Sequence, residues 1–304
     1  MVKSGIVGAL SYARLEEALT CDVRGLARRT AGGSEGVWIL VPSNLVAQHL
    51  MRAVARASGG VLGPRCLTLR QAAARLAGRS LARRGMRPLP SGAAELVLDK
   101  ALAELPAGSH FGRLQRYGGS AGAILYAIKL LKNALWRPEG LAQAAQHLAG
   151  ADPDASRRFR ELAALWAALE QFAARHGLFD DEDLLLAAAR PQELNGAAQV
   201  AEAPRAVLFY GFYDLTPLQR ELVARIAAGA DVRRAYLLWD EEDCAPGPGF
   251  EYARPTVEFL RALLGVGRIE LLGDVAGAAD LLRLRRGLFR MWPPRNRGAG
   301  GGEG

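Results

Sequence analysis

The chain has 304 residues, of which 50% are hydrophobic and 23% are charged, and it carries a formal net charge of +8 at pH 7. This apolar fraction excludes a disordered chain, and the length is sufficient for one large hydrophobic core or two ordinary ones. No apolar run reaches the roughly 18 residues of a membrane-spanning helix, and the start does not have the pattern of a signal peptide. The three cysteines form no CxxC pair, which argues against a disulfide framework or a cysteine zinc site and favours the cytoplasm.

The basic residues are unevenly distributed. Only four of the 39 are lysines, and the stretch from Gly36 to Ala94 contains no Asp or Glu. Nine arginines lie in that stretch: Arg52, Arg56, Arg65, Arg70, Arg75, Arg79, Arg83, Arg84 and Arg87. Genomic composition bias is one explanation of the arginine content. An acid-free basic surface that contacts phosphate groups is the other.

The first part of the chain alternates between helix and strand patterns. The predicted elements are a helix over Leu10–Leu26, a buried strand over Val37–Val41, a helix over Leu45–Ala57 capped by Ser43 or Asn44, a short strand over Cys66–Leu69, and a helix beginning at Gln71. Continuous apolar strands between helices are typical of a parallel sheet that is covered on both faces.

Residues 90–178 have helical patterns with no strand signal between them. The predicted helices are Ala93–Leu105, Ala121–Leu135, Pro138–Leu148 and Ser156–His176. The mixed pattern then resumes with strands over Ala206–Tyr210 and Arg234–Trp239 and helices over Pro217–Ala228 and Pro255–Leu264. We therefore predict an α/β domain made of 1–89 and 179–292, an inserted helical subdomain over 90–178, and a disordered Gly-rich tail over 293–304.

The lysines exclude two common chemistries. A phosphate-binding P-loop needs the pattern GxxxxGK[ST], and none of Lys3, Lys100, Lys129 and Lys132 lies in that context. A PD-(D/E)xK nuclease needs an acidic residue two positions before its lysine. The residues at that position before the four lysines are Met1, Leu98, Ala127 and Leu130, and none is acidic. The sequence therefore predicts neither ATP binding by a P-loop nor nuclease chemistry in this segment.

Two acidic clusters, 180–183 and 240–243, could each hold a magnesium ion. A structural interpretation is favoured, because Asp180 or Asp181 is well placed to cap the helix that begins near Leu184. The four histidines are dispersed and form no metal-binding spacing. Trp38, Trp136, Trp166 and Trp239 lie in apolar segments and are predicted to be core residues.

Several segments, in order, resemble superfamily-1 helicases. The strand and helix over 37–51 resemble the region around helicase motif Ia, and residues 66–76 resemble the next segment that contacts single strands. Residues 181–185 resemble the acidic and leucine-rich segment that follows the inserted helical subdomain. Residues 207–219, with the letters VLFYGFYDLTPLQ, resemble the Walker B strand and the helix after it. These letters are most similar to the B chain of AddAB-type helicase–nucleases, a family that carries a PD-(D/E)xK nuclease at the far C-terminus.

The resemblance implies a RecA-like, P-loop-NTPase-like parallel sheet that has lost its nucleotide site. Tyr210 and Gly211 stand where a helicase has its Mg²⁺-binding Asp and catalytic Glu, and Ser11 and Tyr12 stand where it has Lys and Thr. The residues assigned to this degenerate nucleotide site are Gly5, Gly8, Ser11, Tyr12, Tyr210, Gly211, Asp214 and Gln219. We expect no catalytic residue, metal or cofactor in this segment, because phosphoryl transfer relies on the missing Lys and Mg²⁺.

Three functions remain open. The first is a catalytically inactive helicase-like module for double-strand-break repair and recombination, which binds DNA (single strands or duplex ends) and an AddA-like motor subunit, with no membrane partner. The residues predicted to contact nucleic acid are Arg52, Thr68, Arg70, Arg75 and Arg79. The second is a structural adaptor that does not bind DNA. The third is a fragment of an active ATP-dependent helicase and exonuclease whose catalytic parts lie beyond this segment.

Overall fold

The computed structural model describes residues 2, 4–9, 11–27, 36–58, 63–106, 108–194, 204–239 and 251–273. The second acidic cluster (240–243), Cys244 and the tail over 293–304 lie outside the described residues. Among the described residues, no helix is long and apolar enough to cross a bilayer.

The described chain contains eight strands and ten α-helices. The strands are β1 (Gly5–Ala9), β2 (Val37–Val41), β3 (Arg65–Thr68), β4 (Arg87–Pro88), β5 (Leu178–Phe179), β6 (Ala206–Tyr210), β7 (Val232–Leu238) and β8 (Glu270–Leu271). The helices are α1 (Tyr12–Ala27), α2 (Asn44–Ser58), α3 (Leu69–Arg83), α4 (Ala93–Glu104), α5 (Ser120–Asn133), α6 (Pro138–Leu148), α7 (Pro153–His176), α8 (Asp181–Ala189), α9 (Pro217–Ala228) and α10 (Arg254–Leu264).

Six strands form one sheet in the order β3-β2-β6-β7-β1-β8, and every pairing in it is parallel. The mixed α/β class and the parallel sheet predicted from the sequence are confirmed. Strands β2 and β6 are buried at every position, as their unbroken apolar runs predict. The order differs from the standard dinucleotide-binding order, in which the first two strands are neighbours, because β6 and β7 lie between β1 and β2.

The helices cover both faces of the sheet. One face packs against α1 and α2 through a cluster that includes Leu19, Ile39 and Leu50. The other face packs against α3, α8, α9 and α10 through a larger cluster that includes Leu40 and Phe209. Connections that run towards β3 use the first face and those that run towards β8 use the second, as right-handed crossovers require.

The segment between β4 and β5 is helical, as predicted, and has its own hydrophobic cluster. Residues from α4, α5, α6 and α7 form it, with Trp166 and Leu98 fully buried. Strands β4 and β5 pair in parallel through Arg87 with Leu178 and Pro88 with Phe179, so the two ends of this segment lie side by side. The sequence did not predict this two-residue pairing.

Three further predictions were wrong. Residues 5–9 form a strand, whereas the resemblance had placed a degenerate phosphate-binding loop there. The first helix therefore begins at Tyr12 and not at Leu10. Trp136 is 43% exposed at the turn after α5, while Trp38, Trp166 and Trp239 are buried in the core as expected.

A partly buried ion cluster joins the helical segment to the sheet layer. The ammonium group of Lys132 on α5 lies 2.6 Å from a carboxylate oxygen of Asp180 and 2.5 Å from one of Asp183. Burial opposes the charge of Lys132, but Asp183 and Asp180 together outweigh that cost and raise the pKa of the ammonium group. Burial also disfavours the charged form of Asp180, but Lys132 outweighs this effect and lowers the pKa of the Asp180 carboxyl. Asn133 adds two contacts beside this ion cluster: it donates a hydrogen bond to Glu182 and accepts one from Thr216.

We expect Lys132→Met to destabilise the protein by about 3 kcal/mol, because it leaves two partly buried carboxylates without their cation. Urea unfolding at neutral pH measures this change. The stability that ion-paired Asp180 contributes is fully present above its unfolded pKa of about 3.9. It is lost as the pH falls towards the lower pKa of the folded state, so the difference in unfolding free energy between variant and wild type should shrink in acid. Lys100→Met, at an exposed site on α4, is the control and should change stability little. A difference that is independent of pH would contradict this interpretation.

Candidate functional site

Only two residues, at positions 10 and 11, separate β1 from α1. Gly5 begins the strand, and Gly8 lies inside it, where an added Cβ would come within 2.9 Å of Ile269 and Leu271 side chains. A larger residue than Gly8 would therefore require these neighbouring side chains to shift. The Ser11 hydroxyl accepts a hydrogen bond from the Ala13 N–H at the start of α1. A strand leads almost directly into a helix where the resemblance predicts a phosphate-binding loop.

The end of β6 carries the two residues that replace the Walker B acids in the resemblance. Tyr210 is buried as the last residue of the strand. Gly211 has a φ of 72°, in the left-handed region, and its N–H donates to the Tyr236 carbonyl of β7. A side chain at position 211 would be strained by this backbone conformation, so a glutamate does not fit the local geometry.

These two segments, about 200 residues apart in sequence, meet at the carboxyl edge of the sheet. Burial, followed by the nearby Glu16 carboxylate, raises the pKa of the Tyr210 phenol. Burial also raises the pKa of Tyr213, which has Tyr12 beside it. The Tyr213 hydroxyl accepts a 2.7 Å hydrogen bond from the Leu238 N–H, which ties the loop after β6 to the end of β7. We name this group, Tyr12, Glu16, Tyr210 and Tyr213, the tyrosine cluster.

The tyrosine cluster has the wrong charge for a triphosphate. Burial raises the pKa of Tyr210 and Tyr213 and so keeps these two phenols neutral, and Glu16 adds a carboxylate that His49 contacts at 2.8 Å. An anionic ligand in this position would face a like charge and three aromatic rings in place of a lysine and a magnesium ion. Sequence reasoning missed Glu16, Tyr213 and His49. Glu16 lies four residues after Tyr12, and His49 lies four residues after Leu45, so helical spacing gave a weak signal for these two residues. No such signal was present for Tyr213.

The remaining residues of the predicted nucleotide site have other positions. Asp214 is exposed in the loop after β6. Gln219 belongs to the capping box of α9, in which its N–H and side chain bond with Thr216. The structure therefore brings Tyr12 and Tyr210 together. It gives Gly5, Gly8, Ser11 and Gln219 local structural roles.

The predicted nucleic-acid residues do not form one patch. Arg52 is exposed on α2, which covers one face of the sheet, whereas Arg70, Arg75 and Arg79 lie on α3, which covers the other. Arg70 lies 3.4 Å from Asp181 and lines a cleft of about 380 Å³ between α3 and the helical segment. Arg75 and Arg79, one helical turn apart, share an exposed surface. Among the described residues, neither lies in an ion pair.

Thr68 serves as the N-cap of α3. Its hydroxyl accepts from the Gln71 N–H at 3.3 Å, and the Gln71 side chain in return accepts from the Thr68 N–H at 2.9 Å. Gln71 also donates to Asn44 at the start of α2, which joins the ends of β2 and β3. The hydroxyl of Thr68 is therefore engaged within the protein. Gln71 and Asn44 are exposed polar groups at this point of the edge.

The first acidic cluster has the structural role that the sequence favoured. Asp180 caps α8 by accepting a 2.8 Å hydrogen bond from the Asp183 N–H, and the Asp183 carboxylate accepts from the Asp180 N–H. Lys132 forms an ion pair with each of the two carboxylates. Within the described ranges, no group of three or more His, Cys, Asp or Glu side chains is arranged to hold a metal ion.

Comparison with known proteins found no protein-family model that matches the chain and no similar curated protein.

We expect Gly211→Ala to destabilise the protein by about 1 kcal/mol, because nothing surrounds the new methyl group and only the left-handed backbone opposes it. Gly78→Ala makes the same chemical change inside α3, also in open space, and should stabilise by about 0.5–1 kcal/mol. Thermal unfolding of the two variants measures the sign and size of both stability changes. Equal effects of the same sign would contradict the backbone argument.

Proposed function

We propose that this chain is a catalytically inactive helicase-like module of a helicase–nuclease that acts in DNA double-strand-break repair. In this proposal it resembles the B chain of AddAB-type enzymes, binds DNA, and docks an AddA-like motor subunit in the cytoplasm. Cys21 and Cys66 are both free thiols, which fits a reducing compartment. The sheet is proposed to be a RecA-like one, and the helices of 90–178 its inserted subdomain.

The observation that carries the proposal is the contact between the two halves of the degenerate site. The resemblance paired residues 5–12 with residues 207–219 as one nucleotide site, on sequence alone. Tyr210 and Tyr213 from the second segment lie near Tyr12 at the end of the first and near Glu16 one turn further along α1. A parallel sheet brings the ends of its strands to one edge in any case, so the support for the proposal is that both paired segments lie at that edge, as the two halves of a nucleotide site would. The phenols and Glu16 at this meeting point support the loss of nucleotide chemistry.

The nucleic-acid part of the proposal rests on exposed cations. Phosphate contacts need only cationic side chains and backbone N–H groups, so they do not depend on a working ATP site. Arg75 and Arg79 are exposed on one surface of α3, in the stretch that lacks acidic residues. Exposed Tyr12 adds a ring on which a base can stack at the sheet edge.

The structural adaptor is the second candidate, and a specific observation favours it. Large apolar side chains are exposed on the helical segment: Leu96 on α4 is 72% exposed, and Tyr126 and Leu130 on α5 are 65% and 53% exposed. Tyr126 and Leu130 are one turn apart on the same surface of α5. Exposed apolar side chains of this kind are found at protein–protein contacts. The adaptor does not bind DNA, so a measurement of DNA affinity distinguishes the two candidates.

We expect the chain to bind single-stranded DNA weakly, with a dissociation constant of about 10⁻⁴–10⁻⁶ M and a log affinity that falls linearly with log salt. Arg75→Gln/Arg79→Gln should reduce the magnitude of this slope by about 0.7 for each phosphate interaction that the substitutions remove. The matched control, Arg175→Gln/Arg254→Gln, removes two exposed charges elsewhere and should leave the slope nearly unchanged. Fluorescence anisotropy at several salt concentrations gives the slopes. A wild-type slope of zero would favour the adaptor.

We expect no ATP hydrolysis by the wild-type chain or by the variant Ser11→Lys/Tyr12→Thr. The variant restores the lysine and hydroxyl of the P-loop pattern, but the two-residue connection between β1 and α1 provides no loop to surround the phosphates. A coupled assay of phosphate release, with magnesium present, is the measurement. Turnover by the wild-type chain would contradict the inactive-module hypothesis, and turnover by the variant alone would contradict the argument from the short connection.

A further inference from the structure

A basic cleft lies in the helical segment, far from the acid-free stretch in sequence. It has a volume of about 340 Å³ and lies between the loop over 108–113 and the first turns of α7. Its lining residues are Gly108, His110, Arg113, Asp154, Arg157 and Arg158. Three guanidinium groups therefore line one cavity, together with a single carboxylate.

Hydrogen bonds fix the walls of the cleft. The carboxylates that accept these bonds do not form ion pairs with the lining arginines. The Glu161 carboxylate, one turn further along α7, accepts hydrogen bonds from the His110 and Phe111 N–H groups at 3.1 and 2.8 Å. Asp152 caps α7 by accepting from the Ala155 N–H at 2.9 Å. These contacts fix the loop against the helix, so that Arg113 lies next to Arg157 and Arg158.

The three arginines of the cleft form no ion pair within the described part of the chain. No described carboxylate lies within 4 Å of Arg113, Arg157 or Arg158, although Asp154 precedes the last two by three and four positions on the same helix. Arg113 donates instead to the Gly108 carbonyl, within the loop itself. Like charges that line one concave surface create a positive potential that attracts an anion.

We propose that this cleft binds a backbone phosphate of the nucleic acid, as a second contact site that is separate from α3. Arginine is suited to this ligand, because its planar guanidinium group binds phosphate oxygens in a bidentate manner. A phosphodiester arranges its oxygens tetrahedrally, so guanidinium groups on different sides of one cavity can contact it, whereas the two oxygens of a carboxylate lie in one plane. The identity of the polymer rests on the proposed function, but the geometry of the cleft does not.

The test uses the whole chain and the variant Arg113→Gln/Arg157→Gln/Arg158→Gln, titrated against a single-stranded oligonucleotide and, separately, against inorganic pyrophosphate. The control Lys100→Gln/Arg175→Gln/Arg254→Gln removes three charges from exposed sites outside the cleft. Arg175 is 18 residues beyond Arg157 on the same helix, or about 27 Å away. We expect the cleft variant to bind the oligonucleotide about tenfold more weakly at low salt and with a shallower salt slope, and the control to change little.

The outcomes separate this inference from the proposed function. If the cleft variant binds the oligonucleotide as strongly as the wild type and the control do, the cleft proposal is overturned and the proposed function is left intact. No oligonucleotide binding by the wild type overturns both. Pyrophosphate binding that depends on the three arginines, together with oligonucleotide binding that does not, assigns the cleft to a small phosphate ligand and also overturns the proposal. Single variants Arg157→Gln and Arg158→Gln serve if the triple variant unfolds.

Discussion

The parallel direction of the six strands is the constraint from which the rest of the structure follows. Parallel strands end at one edge of a sheet, so the residues after β1, β2, β3, β6 and β7 are brought together whatever their separation in sequence. At that edge β1 leads into α1 after two residues, and the end of β6 turns away through Gly211. Tyr210, the last residue of β6, and Tyr213 in the loop after it lie near Tyr12, the first residue of α1. The tyrosine cluster is thus a consequence of how the chain leaves the strands.

The tyrosine cluster and the two proposed contact sites carry charges of opposite sign. The cluster at the sheet edge contributes the Glu16 carboxylate, whereas the exposed arginines of the two proposed contact sites lie on helices: Arg75 and Arg79 on α3, and Arg157 and Arg158 on α7. In the proposed function, phosphate groups contact these helical surfaces. Such a distribution suits contact with an extended polymer that crosses the surface, and it does not suit a triphosphate enclosed at the ends of the strands.

The sheet was the most predictable part of the fold, and the site was less so. Strands β2 and β6 are unbroken apolar runs, and their ends were predicted to the residue, because burial on both faces leaves no other pattern. Strand β1 was missed because its five residues include two glycines and resemble a loop. The cap at Asp180 is local and was predicted from its position before a helix. The contacts of Lys132 with Asp180 and of Tyr213 with the Leu238 N–H span 48 and 25 residues and follow only from packing.

The most direct test of the central claim is the affinity of the chain for single-stranded DNA, measured with and without saturating magnesium ATP at one salt concentration. A working motor couples the two ligands, so nucleotide changes DNA affinity and DNA changes nucleotide affinity by the same factor. A module that retains the surface for DNA and has lost the nucleotide site shows binding that is unchanged by ATP. A nucleotide-dependent shift in affinity would contradict the account, as would the absence of any binding.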